Sequence, residues 1–384
     1  MKKLRIKRIV IVLIIVGIIT AVFGGYTLFI KSQGKEEPKI IYDLKQVYEA
    51  FIAEEEYDSE SKIRDEGKSE GEVQLSGWIP YWDFSKAVGQ YKTNPASYAS
   101  LSPTWYYVLT DGSLGLKNTA RNSELVSLSQ TNGTKLIPSI SNSNADELSV
   151  ILNNSDTLNK HVDAVVLEVE NYGYDGIDID YEAIKADDKE EFTHFVDSLA
   201  HKLHEKKKIL TIAILWKNKF DLIIESQSES RAAQDWEAIG KVVDEFRIMA
   251  YDYTHSYEDA GPIAPVNWIT SILEYAITKV DREKIVLGLP QYAYEWTVGK
   301  EGAKALVYSD VVTIKSNNTI TSDKLDETDK EKQLIYESNG VKKEVWYQDD
   351  EVTQGRIDLA KSYGIYSFAF WRLGGEDPKL FKYE

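Results

Sequence analysis

The 384-residue chain contains no cysteine, which excludes a disulfide framework and any thiolate metal site. Histidine is scarce, with five in all, and no His-Glu-x-x-His pair of the zinc-hydrolase type occurs. Positive charge is also short: 45 Lys and Arg stand against 62 Asp and Glu, a formal charge of −17. Nucleic acid needs a basic footprint, so the charge argues against it as a partner, and strongly anionic polymers are disfavoured as tight ligands, while low-affinity processing of a mixed-charge wall polymer stays compatible with it. There is no Gly-rich phosphate loop and no EF-hand spacing.

What the chain does have is an octapeptide, Asp175-Gly-Ile-Asp-Ile-Asp-Tyr-Glu182, in which Asp178, Asp180 and Glu182 alternate with Ile177, Ile179 and Tyr181. In a β-strand this period of two puts the three acids on one face and the bulky residues on the other. Three acids about 7 Å apart along a strand face repel one another, so a cation or chemistry is the better reason for them. A hard cation takes six to eight oxygens from a loop that wraps it, which a strand cannot do, and no metal is expected. A structural reading, with a basic partner for each acid, stands beside the catalytic one. Asp175 is out of phase and reads as a turn residue.

Clustered carboxylates cannot all ionise, so one keeps a proton near neutral pH and can serve as a general acid. Glycosidic cleavage needs such an acid. A two-carboxylate glycosidase places its groups on opposite faces of the sugar, whereas neighbours on one strand approach from one side. With Glu182 as the acid, the nucleophile comes from elsewhere, and a substrate 2-acetamido oxygen is one solution.

The octapeptide resembles the Asp-x-x-Asp-x-Asp-x-Glu signature of glycoside hydrolase family 18. Other landmarks resemble that family in order: Met249-Ala-Tyr-Asp-Tyr253, Gly261-Pro-Ile-Ala-Pro265, Leu287-Gly-Leu-Pro-Gln-Tyr292, and Gly364 to Gly374 around Trp371. The resemblance spans about residues 74–384. It implies that Glu182 protonates the leaving oxygen, Asp180 orients the acetamido group, and Asp178 exchanges a proton with Asp180. It further implies that Tyr251 donates to the acetamido oxygen, Asp252 contacts the same sugar, and Trp371 floors it, with Met249 beside them. The implied activity is retaining, substrate-assisted cleavage of N-acetylglucosamine-containing glycans, peptidoglycan or chitin-like, without a cofactor. Two departures stand out. Pro138-Ser-Ile-Ser-Asn-Ser-Asn144 replaces the family's Ser-x-Gly-Gly element, so the cleft floor there is expected to be narrower or more polar. Tyr181 stands where many chitinases have Trp. A lectin-like, carbohydrate-binding barrel is the alternative from another class, although such members usually lose the acid that is intact here.

From Gln74 onward, short apolar strands alternate with amphipathic helices, the pattern of an α/β chain with a parallel sheet. The expected fold is a (β/α)8 TIM barrel, with strands beginning near Leu75, Trp105, Lys135, Gly176, Ile209, Phe246, Ile285 and Gly364. Helices are expected over about 188–206 and 234–243. Reactive groups of such barrels sit at the carboxyl ends of strands, which converges Glu182, Tyr251, Asp252 and Trp371 on one mouth. The long gap before strand eight predicts a small α+β insertion at about 297–345, forming a cleft wall, after which Trp346-Tyr347-Gln348-Asp349 resumes the barrel. Trp82, Trp216 and Trp296 lie just past strands one, five and seven and are candidate sugar-stacking walls.

Residues 1–8 carry five positive side chains, and residues 9–30 run 22 positions without a charge, a helix of roughly 33 Å. This predicts a single-pass anchor with the amino end cytoplasmic and the catalytic domain outside. A cleaved signal peptide is the alternative, with Ala21 to Gly25 as its cleavage region; it would leave a secreted enzyme. Residues 31–73 read as a charged stalk, with a short helix at about 42–56. The expected partners are the glycan and, through the N-terminal helix, a lipid bilayer; the chain is expected to be a monomer.

Overall fold

The computed structural model describes residues 71–218 and 228–382. The expected anchor at 9–30, its basic flank at 1–8, nearly all of the 31–73 stalk and the 42–56 helix lie outside the described residues. Among the described residues, no helix is long and apolar enough to cross a membrane.

Eight parallel strands close on themselves: β1 (Gln74–Ile79), β2 (Ser100–Val108), β3 (Ser139–Asn142), β4 (Gly176–Tyr181), β5 (Ile209–Leu215), β6 (Glu245–Met249), β7 (Ile285–Pro290) and β8 (Ser367–Trp371). Each pairs with its sequence neighbour, and β1 closes the ring by pairing with both β8 and β2. A two-residue bridge at Lys135–Leu136 precedes β3 and pairs with the start of β2.

The alternation on β4 divides as its sequence requires. Ile177, Ile179 and Tyr181 are buried against the helix Lys189–Glu205, where Tyr181 stacks on Phe195 at 5.7 Å and meets Phe192. Phe192, Phe195, Val196, Leu199 and Leu203 of that helix are all buried, the stripe its 3.6-residue period sets out. The second expected helix spans Trp236–Val242 and is capped by Asp235, which accepts from the Ala238 amide. Asp175 holds the Leu136 amide through its side chain at 2.8 Å, which fixes the turn into β4.

Three strand starts differ from expectation. Strand β3 begins at Ser139 rather than Lys135, since Lys135 and Leu136 form the separate bridge to β2. Strand β2 begins at Ser100 rather than Trp105, because its early inward residues are small and polar. Ser100 bonds Ser76, and both Ser100 and Ser102 accept from Arg247. Barrels of this type usually fill with branched aliphatic layers, so a polar layer hides a strand from a hydrophobicity pattern. Strand β8 begins at Ser367 rather than Gly364, whose φ of +75° belongs to the turn after the helix Asp350–Ser362.

The insertion is a five-stranded antiparallel sheet in the order Ala303–Leu306, Ala293–Thr297, Val341–Tyr347, Lys332–Ser338, Thr319–Leu325, with one helix at Tyr308–Asn317. Its own core gathers Ala293, Leu306, Val311, Leu334, Tyr336, Val345 and Tyr347. The sheet thus runs from Ala293 to Tyr347. Trp346 and Tyr347 belong to it, and the barrel resumes only at the helix capped by Asp349.

Candidate active site

The three acids of β4 descend from the mouth into the barrel. Glu182 is exposed, Asp180 is half-buried, and Asp178 is fully buried. At the bottom, Asp178 accepts from Trp78 Nε1 at 2.9 Å, Ser139 Oγ at 2.7 Å and Thr211 Oγ1 at 2.6 Å. Arg247 Nη1 lies 3.5 Å from Asp178 Oδ1, both side chains being fully buried. The guanidinium also donates to Ser102, Ser100 and Glu245. A buried charge persists only when paired and hydrogen-bonded, and this network meets both conditions. The structural reading of the acids therefore holds for Asp178 alone.

Among the described residues, Asp180 and Glu182 have no such basic partner. Burial pushes the Asp180 carboxyl well above the usual aspartate range, and the charges of Glu182 and Asp178, with a hydrogen bond to Glu182, push it further. One oxygen of Asp180, Oδ1, is enclosed and makes no hydrogen bond. Glu182 is also raised, first by the desolvation of its surroundings and then by the charge of Asp252, while its bond to Asp180 opposes the rise. It touches solvent through the mouth but is walled by protein elsewhere. With both carboxyls raised and hydrogen-bonded to each other, the pair favours holding one proton between them.

Two residues past the end of β6, Tyr251 is buried and packs edge-on against Tyr292 at 6.3 Å. Burial, followed by the charges of Glu182, Asp180, Asp252 and Asp178, holds its hydroxyl well above the usual tyrosine range. It is therefore a proton donor facing the acids. The ring fits because Gly288 on β7 leaves room: a Cβ there would lie 2.6 Å from Ile248 O and 3.2 Å from the Tyr251 ring. Asp252 has a φ of +58°. Its Oδ1 accepts from Tyr294 at 3.0 Å and from Tyr292.

The mouth has an aromatic floor. Trp371, half-buried at the end of β8, meets Trp78 at 6.2 Å and Trp82 at 6.1 Å. Trp82 is 58% exposed, which makes it the most open ring of the floor. Met249 is buried in the same cluster as Trp78, Tyr251, Tyr292 and Trp371, where it supports the floor. Trp296 is only 3% exposed, with Nε1 donating to Glu258 O at 2.8 Å and its ring against Tyr294; it braces Tyr294 and is no open wall. Trp216 packs against Trp268, and the Arg231 guanidinium covers its ring at 4.0 Å. The cluster thus unites Glu182, Asp180, Asp178, Tyr251, Asp252, Trp371 and Trp82, leaving Trp216 and Trp296 to structural packing.

The Pro138–Asn144 stretch is as polar as its sequence suggests, and it is used. Ser139 serves Asp178, and Asn142 binds the peptide groups of Ala183. On the other side, Ser230 binds both peptide groups of Ile184, and Gln234 donates to Tyr181 O. Sequence reasoning missed Arg247, Tyr292, Tyr294 and this bracing. A lone arginine inside the apolar run Phe246-Arg-Ile-Met249 was the available signal, as was the Tyr292-Ala-Tyr294 alternation.

Residues 44–376 match the profile of glycosyl hydrolases family 18. The chain belongs to that family. It is 26% identical over 248 residues to the uncharacterized glycosylase YvbX of Bacillus subtilis (strain 168), covering 62% of this chain and 68% of that one. It is 26% identical over 265 residues to the cortical fragment-lytic enzyme of the same organism, covering 66% of this chain and 60% of that protein. The fold is shared with the spore cortex-lytic enzyme SleL of Bacillus cereus (TM-score 0.74, 22% identity, 82% of this chain and 74% of that one). It is also shared with a chitinase from Chromobacterium violaceum ATCC 12472 (TM-score 0.73, 21% identity, 81% and 97%).

Proposed function

We propose that the chain cleaves β-linked N-acetylglucosamine-containing glycans with retention of configuration, using the substrate's own acetamido oxygen as nucleophile. The observation that carries this is the gradient down β4: an exposed acid, Glu182, above a half-buried Asp180 and a fully buried Asp178 fixed by Arg247. Glu182 gives its proton to the leaving oxygen while the acetamido oxygen attacks the anomeric carbon. Asp180, with Tyr251 opposite, orients the acetamido group. The positive charge that develops is met by the acids beneath it, the term that usually dominates. The carboxylate nearest in charge effect, Asp252, is tied down by two tyrosines and is poorly placed to attack. Trp371 floors the reacting sugar.

Among such glycans, wall peptidoglycan is favoured over chitin. The similarity to proteins named for spore cortex lysis supports this, as does the sequence-based expectation of an outward-facing membrane anchor at residues 9–30. That location is part of the proposal; it requires the protein to fractionate with membranes and be cut by protease added to intact cells stripped of wall.

Glu182→Gln in the purified enzyme tests the mechanism. Turnover of chitooligosaccharides and of peptidoglycan strands should vanish while the thermal transition stays put. Retained turnover refutes the acid assignment, and efficient cleavage of N-deacetylated chains refutes the acetamido nucleophile. A lectin-like barrel would bind these glycans with no Glu182-dependent product at all.

A further inference from the structure

The aromatic floor does not stop at Trp82. Tyr81 packs edge-on to Trp82 at 5.0 Å, and its amide is held by Thr104 Oγ1 at the upper part of β2. Beyond Tyr81 stands Lys117, whose Nζ lies 4.8 Å from the Tyr81 ring centroid and 4.7 Å from that of Tyr107. The row therefore runs Trp371, Trp82, Tyr81, Lys117, Tyr107, from the reacting centre toward the β1–β2 rim.

The local backbone builds this end of the row. The short strand Leu114–Leu116 folds back along β2, pairing Gly115 with Tyr107. The Tyr107 ring lies across Gly115, where a Cβ would come within 2.3 Å of the ring. The Lys117 amide then donates to Trp105 O at 2.8 Å. Tyr107, Gly115 and Lys117 are thus set by one hairpin, and the ammonium is seated between two rings.

Neighbouring cations are spoken for. Arg372 pairs with Asp83, and Arg121 makes a two-point pair with Glu168. Lys117 forms no ion pair among the described residues. Aromatic faces attract an ammonium but do not neutralise it. In a chain of net charge −17, an unneutralised cation at the end of this aromatic row is available to an anion.

We propose that Lys117 determines specificity by meeting a carboxylate carried by the glycan, on a sugar beyond the one that rests on Trp371. This rests on the glycosidase reading above and narrows its substrate to a carboxylate-bearing amino-sugar polymer, as opposed to a neutral one. A neutral glycan would stack on the same rings and leave the charge unused.

The test compares peptide-free strands of alternating N-acetylglucosamine and N-acetylmuramic acid, with free lactyl carboxylates, against the same strands with those carboxylates converted to methyl amides. The full-length enzyme, Lys117→Met and Lys117→Arg are assayed on both. The ratio of kcat/KM, carboxylate over amide, should fall about fivefold in Lys117→Met, the size of a partly exposed charge pair, and recover in Lys117→Arg. An unchanged ratio, whether both rates hold or both fall together, overturns the proposal. Binding of the two strands to Glu182→Gln, with and without Lys117→Met, gives the same comparison without turnover. Failure of the glycosidase reading would show separately, as the absence of Glu182-dependent cleavage of either strand.

Discussion

Asn142 grips Ala183 by both peptide groups: its Nδ2 donates to Ala183 O at 2.6 Å and its Oδ1 accepts from Ala183 N at 3.2 Å. Ala183 follows Glu182, so the end of β3 fixes the backbone that carries the acid. Asn142→Ala should lower kcat about tenfold, since small misplacements of a reacting group are costly, with little change in KM. The melting temperature should drop only modestly, as each lost bond is worth about 1 kcal/mol. Steady-state kinetics beside a thermal melt check this; a rise in KM at constant kcat would place Asn142 in binding instead.

Arg247→Met should be far more damaging. It leaves Asp178 buried without its cation, and breaking one side of a buried pair costs roughly 3–5 kcal/mol. Urea unfolding at neutral pH measures the loss. A fall below about 1 kcal/mol would mean that Trp78, Ser139 and Thr211 suffice for Asp178.

Asp180→Asn should separate stability from activity. The folded state raises the Asp180 carboxyl, so its favourable contribution is complete below the unfolded pKa and is lost as pH rises through the folded one. The amide escapes that loss. The variant should gain stability relative to wild type, more at pH 7.5 than at pH 4.5, while turnover collapses. Equal differences at the two pH values would contradict the raised carboxyl.

His161 sets an acid limb of opposite sign. It is buried between Gly112 O at 2.9 Å and the Tyr181 hydroxyl at 2.6 Å, and burial pulls it down to about 4 from 6.5. Its contribution is complete above pH 6.5 and lost as pH falls through about 4, a total of about 3 kcal/mol. Stability measured at pH 7 and pH 5 should differ less in His161→Gln than in wild type. An identical pH slope would remove His161 from the acid limb.

The β4 octapeptide was legible because both faces of the strand announce themselves: three bulky residues for the helix layer, three acids for the interior. Strand β2 was less so. Ser100 and Ser102 line a polar layer around Arg247, and a pattern read for hydrophobicity starts the strand at Trp105, where the large rings begin. The insertion was visible as excess length, but Ala293–Thr297 follows β7 so closely that chain spacing alone could not say where one sheet yields to the other. Trp216 and Trp296 show the same limit. Position just past a strand brings a tryptophan near the mouth, but Arg231 and the Glu258 carbonyl, distant in sequence, decide whether its ring is free. Asn142 was noticed only as a missing glycine; its bond to Ala183 spans 41 residues.

Glu331 rises from the inserted sheet to take the amides of Ile263 and Ala264 on its two oxygens, at 2.9 Å each. Arg356, from the helix leading to β8, donates to Ala264 O and to Asp329 O. The loop so held returns from Asp252, and Tyr253 N bonds Ile263 O within it. The appended sheet is therefore a buttress for this loop. Anyone paring this enzyme down to a bare barrel would strand two amide groups and slacken the segment that presents Asp252, so the smallest useful version of the catalyst keeps its inserted sheet.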